Sequence, residues 1–214
     1  GYSSAASDVY KRQEESFAKV MDMAEYARRE INEIGGYYAY GKELVNGTSV
    51  YDYDVTKLSV HTLGLGLAGI EVYDLLRDEY DIQIEFGDVS NILAYISIGD
   101  RLQDIERLVG ALADIARIYK KDSTGMLSGE FISPIVARSP QEAFYSAKES
   151  LPVEKTEGRI SGEFVMCYPP GIPILAPGEM ITDEIIQYIL YVKEKGCSMQ
   201  GTEDKSVNKL KVLV

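Results

Sequence analysis

The stretch YPPGIPILAPGE at residues 168–179 restricts the fold more than any other part of the chain. Four of the seven prolines and two glycines fall within it, and a carboxylate closes it: Pro169, Pro170, Gly171, Pro173, Pro177, Gly178 and Glu179. Each proline fixes φ and removes an amide donor, whereas glycine allows a positive φ. The segment can therefore be neither a helix nor a regular central strand. It predicts a rigid, shaped loop.

Two explanations of this loop stay open from the residues alone. A proline-rich connection can have a purely structural role, in which it joins a strand to a helix rigidly. It then stabilises the fold because it lowers the conformational entropy of the unfolded chain. Alternatively, the stiff backbone holds Glu179 in a fixed place just before the N-terminus of a helix.

The charge balance excludes several classes of partner. The 22 Lys and Arg against 34 Asp and Glu leave a net charge of −12, which repels nucleic acid and anionic membranes. No window approaches the length of about 20 apolar residues that a membrane span needs. Cys167 and Cys197 have no metal-ligand or redox spacing, which agrees with a reducing compartment. We expect a cytoplasmic protein that has no metal site and binds neither nucleic acid nor membrane.

The first residues need separate treatment. SSAASDVYKRQ at residues 3–13 resembles translated sequencing-adapter read-through, so residues 1–13 are predicted to be a non-native or disordered tail. The alternative is an ordinary polar tail. On the first interpretation, everything upstream of Glu14 in the parent protein is missing.

The hydrophobic pattern that follows predicts a long helix and then a β-α-β-β-α unit. From Glu14, apolar residues recur at helical spacing until Gly35 and Gly36 end the helix. Strand patterns at 57–62, 82–86 and 92–99 surround a helix after GLGLAG (64–69), and another helix runs from Asp100 to about Lys120. Residues 14–121 form this first domain.

The remainder predicts a second, smaller domain. Residues 122–137 are expected to be a linker because they contain turn residues and show no sustained period. Ser139, Pro140 and Glu142 supply the N-cap, N1 and N3 positions of a short helix that reaches about Glu149. A strand around 164–166, a helix over 182–195 and a strand at 209–214 complete the domain at 138–214.

Other candidate motifs favour structural explanations. GLGLAG satisfies the dinucleotide fingerprint G-x-G-x-x-G, but the polar alternation of the preceding strand is atypical of a buried parallel sheet, which favours a flexible strand-to-helix turn. His61 is the only histidine, so zinc sites that need two or three imidazoles are excluded. A surface or packing role is the simpler explanation for His61, and Cys167 is typical of a small buried hydrophobe.

Several of these segments carry a family resemblance. YPPGIPILAPGEMIT resembles the C-terminal signature of the bacterial ornithine/lysine/arginine decarboxylases, which are pyridoxal-phosphate enzymes of the aspartate-aminotransferase fold type. Residues 56–100, RSPQEAF (138–144) and 162–179 are also similar to this family. The resemblance implies an α+β chain with a small domain followed by a C-terminal decarboxylase domain. It also implies that the large pyridoxal-phosphate-binding domain is absent from this chain.

The resemblance also implies a function. The parent protein would decarboxylate arginine, lysine or ornithine to a polyamine or to agmatine, with pyridoxal phosphate as its cofactor. Glu179 would contact the distal cationic group of the substrate, and Tyr168 would line the pocket. The backbone around them would shape the pocket wall through Pro169, Pro170, Gly171, Pro173, Pro177 and Gly178. Shared active sites in the family suggest at least a homodimer.

The chain departs from the family at the reactive centre. The cofactor lysine of the family follows a histidine, and none of the thirteen lysines here does so. We therefore expect no catalytic residue in this chain, no tight cofactor binding and no turnover without the missing large domain. The alternative is a non-catalytic binding or regulatory module that reuses the decarboxylase C-terminal fold. The genomic DNA upstream of Glu14 would distinguish the two.

Overall fold

The computed structural model describes residues 4–122, 132–168 and 170–214, with side chains from residue 12 onward. The chain mixes helix and sheet and divides into two compact units, Gly1–Met126 and Leu127–Val214. Each unit contains its own cluster of buried apolar side chains.

The first unit is an antiparallel sheet with helices on one face. Its strands pair in the order β1-β2-β4-β3. Along the chain the elements are α1 (Ser4–Ile34), β1 (Tyr38–Ala39), β2 (Lys57–His61), α2 (Gly69–Tyr80), β3 (Phe86–Gly87), β4 (Asn91–Tyr95) and α3 (Leu102–Ile118). Short 3-10 turns lie at Lys42–Leu44 and Leu63–Leu65. The predicted β-α-β-β-α order is found as β2-α2-β3-β4-α3, and the two-residue strand β1 is additional. The strand predicted at 82–86 was misplaced, because the observed strand β3 shares only Phe86 with it.

Helical periodicity explains the core of this unit. In α1, Val20, Ala24, Ala27 and Ile31 recur at spacings of three and four and are buried. Leu112 and Ile115 of α3 and Leu76 of α2 are fully buried in the same cluster. Leu58 and Val60 of β2 alternate with more exposed residues, as expected for a strand with one covered face.

The predicted beginning of α1 was wrong. The helix begins at Ser4 and not at Glu14, so it includes most of the segment predicted to be a non-native or disordered tail. Its end at Ile34 is as predicted, and Gly35 and Gly36 follow with φ of 81° and 82°. Whether residues 3–13 belong to the natural sequence stays a prediction.

Antiparallel pairing removes the dinucleotide interpretation of GLGLAG, because that site requires parallel strands. The glycines serve close packing. A Cβ atom on Gly69 would lie 2.0 Å from the carbonyl oxygen of Asn91, so only glycine allows helix α2 to begin against β4.

Within its described residues, the second unit contains two small antiparallel sheets and two helices. Strands β5 (Lys148–Pro152) and β9 (Lys209–Leu213) form one sheet. The other has the order β7-β6-β8, from β6 (Val165–Tyr168), β7 (Ile172–Leu175) and β8 (Ser198–Gln200). The helices are α4 (Pro140–Tyr145) and α5 (Asp183–Glu194), and a 3-10 turn lies at Val153–Lys155. Ile185, Ile189 and Leu175 are among its fully buried side chains.

Two predictions for this unit need correction. The predicted rigid loop contains a strand, because Ile172–Leu175 pairs with β6. The exclusion of a regular central strand holds, since β7 lies at the edge of its sheet, where Pro173 is tolerated. Helix α4 ends at Tyr145 and not near Glu149, because Lys148–Pro152 pairs with β9. The predicted N-cap is confirmed: Ser139 Oγ accepts from the amide of Glu142 at 3.2 Å.

Candidate functional site

The turn that carries Glu179 is fixed by backbone hydrogen bonds from both sides. On one side, the amides of Ala137 and Arg138 donate to the carbonyl of Gly178 at 2.9 and 3.0 Å. On the other side, the amide of Gly178 donates to the carbonyl of Ser161 at 2.8 Å. The amide of Ser161 in turn donates to the carbonyl of Glu179, also at 2.8 Å. The turn is therefore the middle segment of an irregular three-segment arrangement.

Gly178 is required by this arrangement. Its φ is 95°, a region that L side chains rarely adopt. In addition, a Cβ atom on Gly178 would lie 2.3 Å from the carbonyl oxygen of Arg138. The turn thus needs glycine for its backbone conformation and for the close approach of the neighbouring segment.

The Glu179 side chain folds back on its own turn. Its Oε2 accepts a hydrogen bond from the amide of Ala176 at 2.8 Å, while its own amide donates to the carbonyl of Ala176 at 3.2 Å. The side chain is partly exposed. Within the described residues, its carboxylate accepts no other hydrogen bond. An oriented carboxylate with one uncommitted oxygen can form a charge-assisted hydrogen bond to a cation.

The other predicted pocket residues lie on the β6–β7 hairpin. Tyr168 ends β6 and is 50% exposed, and Ile172 at the start of β7 is 67% exposed. Pro170 and Gly171 form the connection, and Gly171 has a φ of 92°. Pro169 lies outside the described residues. The tip of the hairpin is thus an exposed apolar surface.

The strand β7 separates the two predicted substrate contacts. Tyr168 lies at the hairpin end of β7, where Cys167 pairs with Ile172, and Glu179 follows the opposite end at Leu175. A four-residue strand spans roughly 13 Å. Pro177 and Gly178 directly precede Glu179 in the same turn, whereas Tyr168 lies at the other end of the strand. A pocket that includes both side chains stays a prediction.

Sequence reasoning missed the residues that support the turn. Ser161 is fully buried, and its Oγ donates to the carbonyl of Glu163 at 2.7 Å. Glu163 is 9% exposed, and its carboxylate accepts hydrogen bonds from the amides of Glu203 and Lys211 at 2.8 and 2.7 Å. The two contacts of the Glu163 carboxylate join segments that are 40 and 48 residues apart in the chain, so no local pattern could have indicated them.

Other candidate residues and sites are given no functional role by the structure. His61 lies on the open face of the first sheet, with Nδ1 3.3 Å from Oδ1 of Asn91. Among the described residues, no group of three or more His, Cys, Asp or Glu side chains is arranged to hold a metal ion. No helix in the described part of the chain is both long and apolar enough to cross a bilayer.

The comparisons with known proteins identify the class to which this fold and turn belong. Residues 128–205 match the family described as Orn/Lys/Arg decarboxylase, C-terminal domain, and this match covers most of the second unit. Residues 128–205 therefore carry the C-terminal domain of this decarboxylase family, and the chain corresponds to a C-terminal part of the family's members.

Particular relatives extend the match to nearly the whole chain. The chain is 38% identical over 198 residues to the arginine decarboxylase of Bacillus subtilis. The matched region covers 91% of this chain and 40% of that protein. It is 39% identical over 199 residues to the arginine decarboxylase of Halalkalibacterium halodurans, again covering 40% of the relative. The chain thus spans about two fifths of the length of these curated relatives.

Solved structures show the same fold. The lysine decarboxylase of Francisella novicida aligns with 95% of this chain at a TM-score of 0.65 and 18% identity, and the chain covers 40% of that structure. The constitutive lysine decarboxylase of Escherichia coli aligns with a TM-score of 0.64 at 17% identity, and the chain covers 41% of it.

Proposed function

We propose that this chain is the C-terminal part of a pyridoxal-phosphate-dependent decarboxylase of a basic amino acid, which produces a polyamine or agmatine. It would provide the small domain and the C-terminal domain of a cytoplasmic homo-oligomer. The large cofactor-binding domain lies outside this chain. The names of the relatives support the reaction, and their greater length supports the missing domain.

The observation that carries the proposal is the geometry of Glu179. A partly exposed carboxylate is oriented by the amide of Ala176, on a turn held by hydrogen bonds from two neighbouring segments. Such a group suits recognition of an ammonium or guanidinium group, because a fixed anion binds a cationic tail and discriminates against neutral side chains. Arginine is the first substrate to test, since the relatives at 38–39% identity are named arginine decarboxylases.

The residues present do not fit attachment of the cofactor. His61 is the only histidine and is followed by Thr62, so the His-Lys pair of the family is absent. In this proposal the chain recognises the distal end of the substrate, and the cofactor belongs to the domain outside it.

A chimera tests the proposal. The chain replaces the matching C-terminal region of the Bacillus subtilis arginine decarboxylase, and CO₂ release is measured with arginine, lysine and ornithine. We expect turnover of a basic amino acid. Glu179→Gln should lower kcat/KM by about 100-fold, because the substrate cation loses its charged partner.

Glu157→Gln is the matched control. Glu157 is exposed in the same unit, and its neutralisation changes the net charge by the same amount. We expect kcat/KM to stay within about twofold of the unchanged chimera. A chimera that binds pyridoxal phosphate but decarboxylates no basic amino acid would contradict the proposed reaction. Equal activity of the two variants would contradict the role of Glu179.

A further inference from the structure

A groove in the C-terminal unit is separate from the Glu179 side chain. Its volume is about 550 Å³, which lies within the range of small-molecule sites. Three parts of the unit meet there: the region of α4, the segment before Ser161, and the end of β9. The lining residues are Arg138, Glu142, Tyr145, Ser146, Gly158, Arg159, Ile160, Leu213 and Val214.

Both arginines of the unit line this one groove. From Leu127 to the end of the chain, the sequence contains only Arg138 and Arg159, which are 21 positions apart. The fold therefore brings together the only two guanidinium groups of a unit that contributes to a net charge of −12. Arginine is the side chain best suited to bind a carboxylate through two parallel hydrogen bonds.

Arg159 is held in place before any ligand arrives. Its Nη2 donates to Oε1 of Glu149 and to the carbonyl oxygen of Leu213, both at 2.7 Å, and the side chain is 34% exposed. Since both contacts use the same nitrogen, the donors on Nε and Nη1 remain. Neither makes a hydrogen bond within the described residues. A guanidinium fixed in this way loses little entropy when it binds an anion.

Arg138 is exposed, and in the part of the chain that the structure describes its side chain forms no ion pair or hydrogen bond. Its backbone, however, is fixed, because its amide donates to the carbonyl of Gly178. The groove thus combines one restrained guanidinium with one that can close on a ligand.

Glu142 limits the charge that the groove accepts. Its Oε2 accepts from the amide and the hydroxyl of Ser139, both at 2.9 Å. These hydrogen bonds lower the pKa of the Glu142 carboxyl, so it is ionised at neutral pH. The lining side chains therefore carry two positive charges and one negative charge. Two further carboxylates lie beside them, because Glu149 pairs with Arg159 and Val214 carries the terminal carboxylate. This balance suits a singly charged anion better than a phosphate dianion.

Apolar surface is contributed to the lining by Ile160, Leu213 and the ring of Tyr145. We propose that this groove binds a small monocarboxylate with an apolar body, whose carboxylate lies between Arg138 and Arg159 and whose body contacts Ile160, Leu213 and Tyr145.

Benzoate is the probe. The 15N-labelled chain is titrated with benzoate, with its neutral isostere benzamide and with inorganic phosphate, and amide and arginine Nε–H signals are followed by NMR. We expect benzoate to shift the signals of Arg138 and Arg159 with a dissociation constant on the order of millimolar. Benzamide and phosphate should bind about fivefold more weakly or worse.

Arg138→Gln should weaken benzoate binding by about fivefold or more, whereas Lys155→Gln, which removes an exposed positive charge outside the groove, should change it by less than about twofold. Two glycines added after Val214 move the terminal carboxylate away from the groove and should tighten binding. Equal affinities for benzoate and benzamide, or equal effects of the two substitutions, would overturn the proposal.

Discussion

At the scale of single residues, Gly178 and Glu179 have different roles in the candidate site. Gly178 allows three segments to approach closely, and Glu179 closes the turn with its own carboxylate. The carboxylate orientation therefore depends on a backbone that only glycine can adopt.

This dependence predicts the effect of adding one methyl group. Gly178→Ala should lower the free energy of unfolding by about 1–3 kcal/mol, because φ is 95° and the new Cβ atom would lie 2.3 Å from the carbonyl oxygen of Arg138. Urea unfolding followed by circular dichroism measures this change.

Gly171→Ala separates the effect of the positive φ from the effect of the close approach of a neighbouring segment. Its φ of 92° is similar, but the nearest atom to a new Cβ would be Cδ2 of Tyr168, in ordinary contact at 3.5 Å. We expect a smaller loss, about 1 kcal/mol, from the backbone conformation alone. If the free energy of unfolding falls by the same amount in both variants, the close approach of Arg138 does not contribute to the loss in Gly178→Ala.

At the scale of elements, a carboxylate organises the connection between β8 and β9. Oδ1 of Asp204 accepts from the amide and hydroxyl of Ser206, and Oδ2 accepts from the amides of Asn208 and Lys209, at distances of 2.6–3.0 Å. Within this connection Val207 adopts a φ of 49°, which is unusual for a β-branched residue. The side chain of Asp204 thus substitutes for regular backbone pairing.

These hydrogen bonds predict a pH dependence. They lower the pKa of Asp204 from 3.8 to about 2, mainly through the Ser206 hydroxyl. Because the folded-state pKa is lower than the unfolded one, the stabilisation is fully present above pH 3.8 and is lost as the pH falls towards about 2. Asp204→Asn should therefore reduce the pH dependence of the urea midpoint below pH 3.8.

Asp183→Asn is the comparison, since Asp183 is exposed in the same unit at the first position of α5. We expect it to leave more of the acid dependence intact than Asp204→Asn. An unchanged pH profile of the Asp204 variant would show that the connection does not depend on the ionised carboxylate.

Prediction from sequence succeeded for elements whose signals are local. The buried stripe of α1 and the capping pair Ser139 and Glu142 follow from residues within one or two helical turns. It failed where a partner strand decides the structure. Strand β5 forms against β9, and β7 forms against β6 despite Pro173.

At the scale of the whole molecule, two buried clusters and an acidic surface describe the chain. Neither unit contains a lysine preceded by histidine. The chain alone should therefore not form an internal aldimine with pyridoxal phosphate.

Absorbance tests this expectation. Addition of pyridoxal phosphate to the isolated chain should give no strong borohydride-reducible band at about 420 nm, whereas the chimera with the relative's large domain should give one. A strong band from the isolated chain would show that it binds the cofactor by itself.

Neighbouring residues are enough to predict the long helix, the order of the elements in the first unit, the lack of the family's cofactor lysine motif and the family resemblance of residues 168–179. The three-dimensional fold was needed to show that Glu179 is oriented by Ala176, that Gly178 approaches Arg138, and that Arg138 and Arg159 share a groove. These arrangements arise from hydrogen bonds and packing between distant segments, and no local pattern encodes such distances.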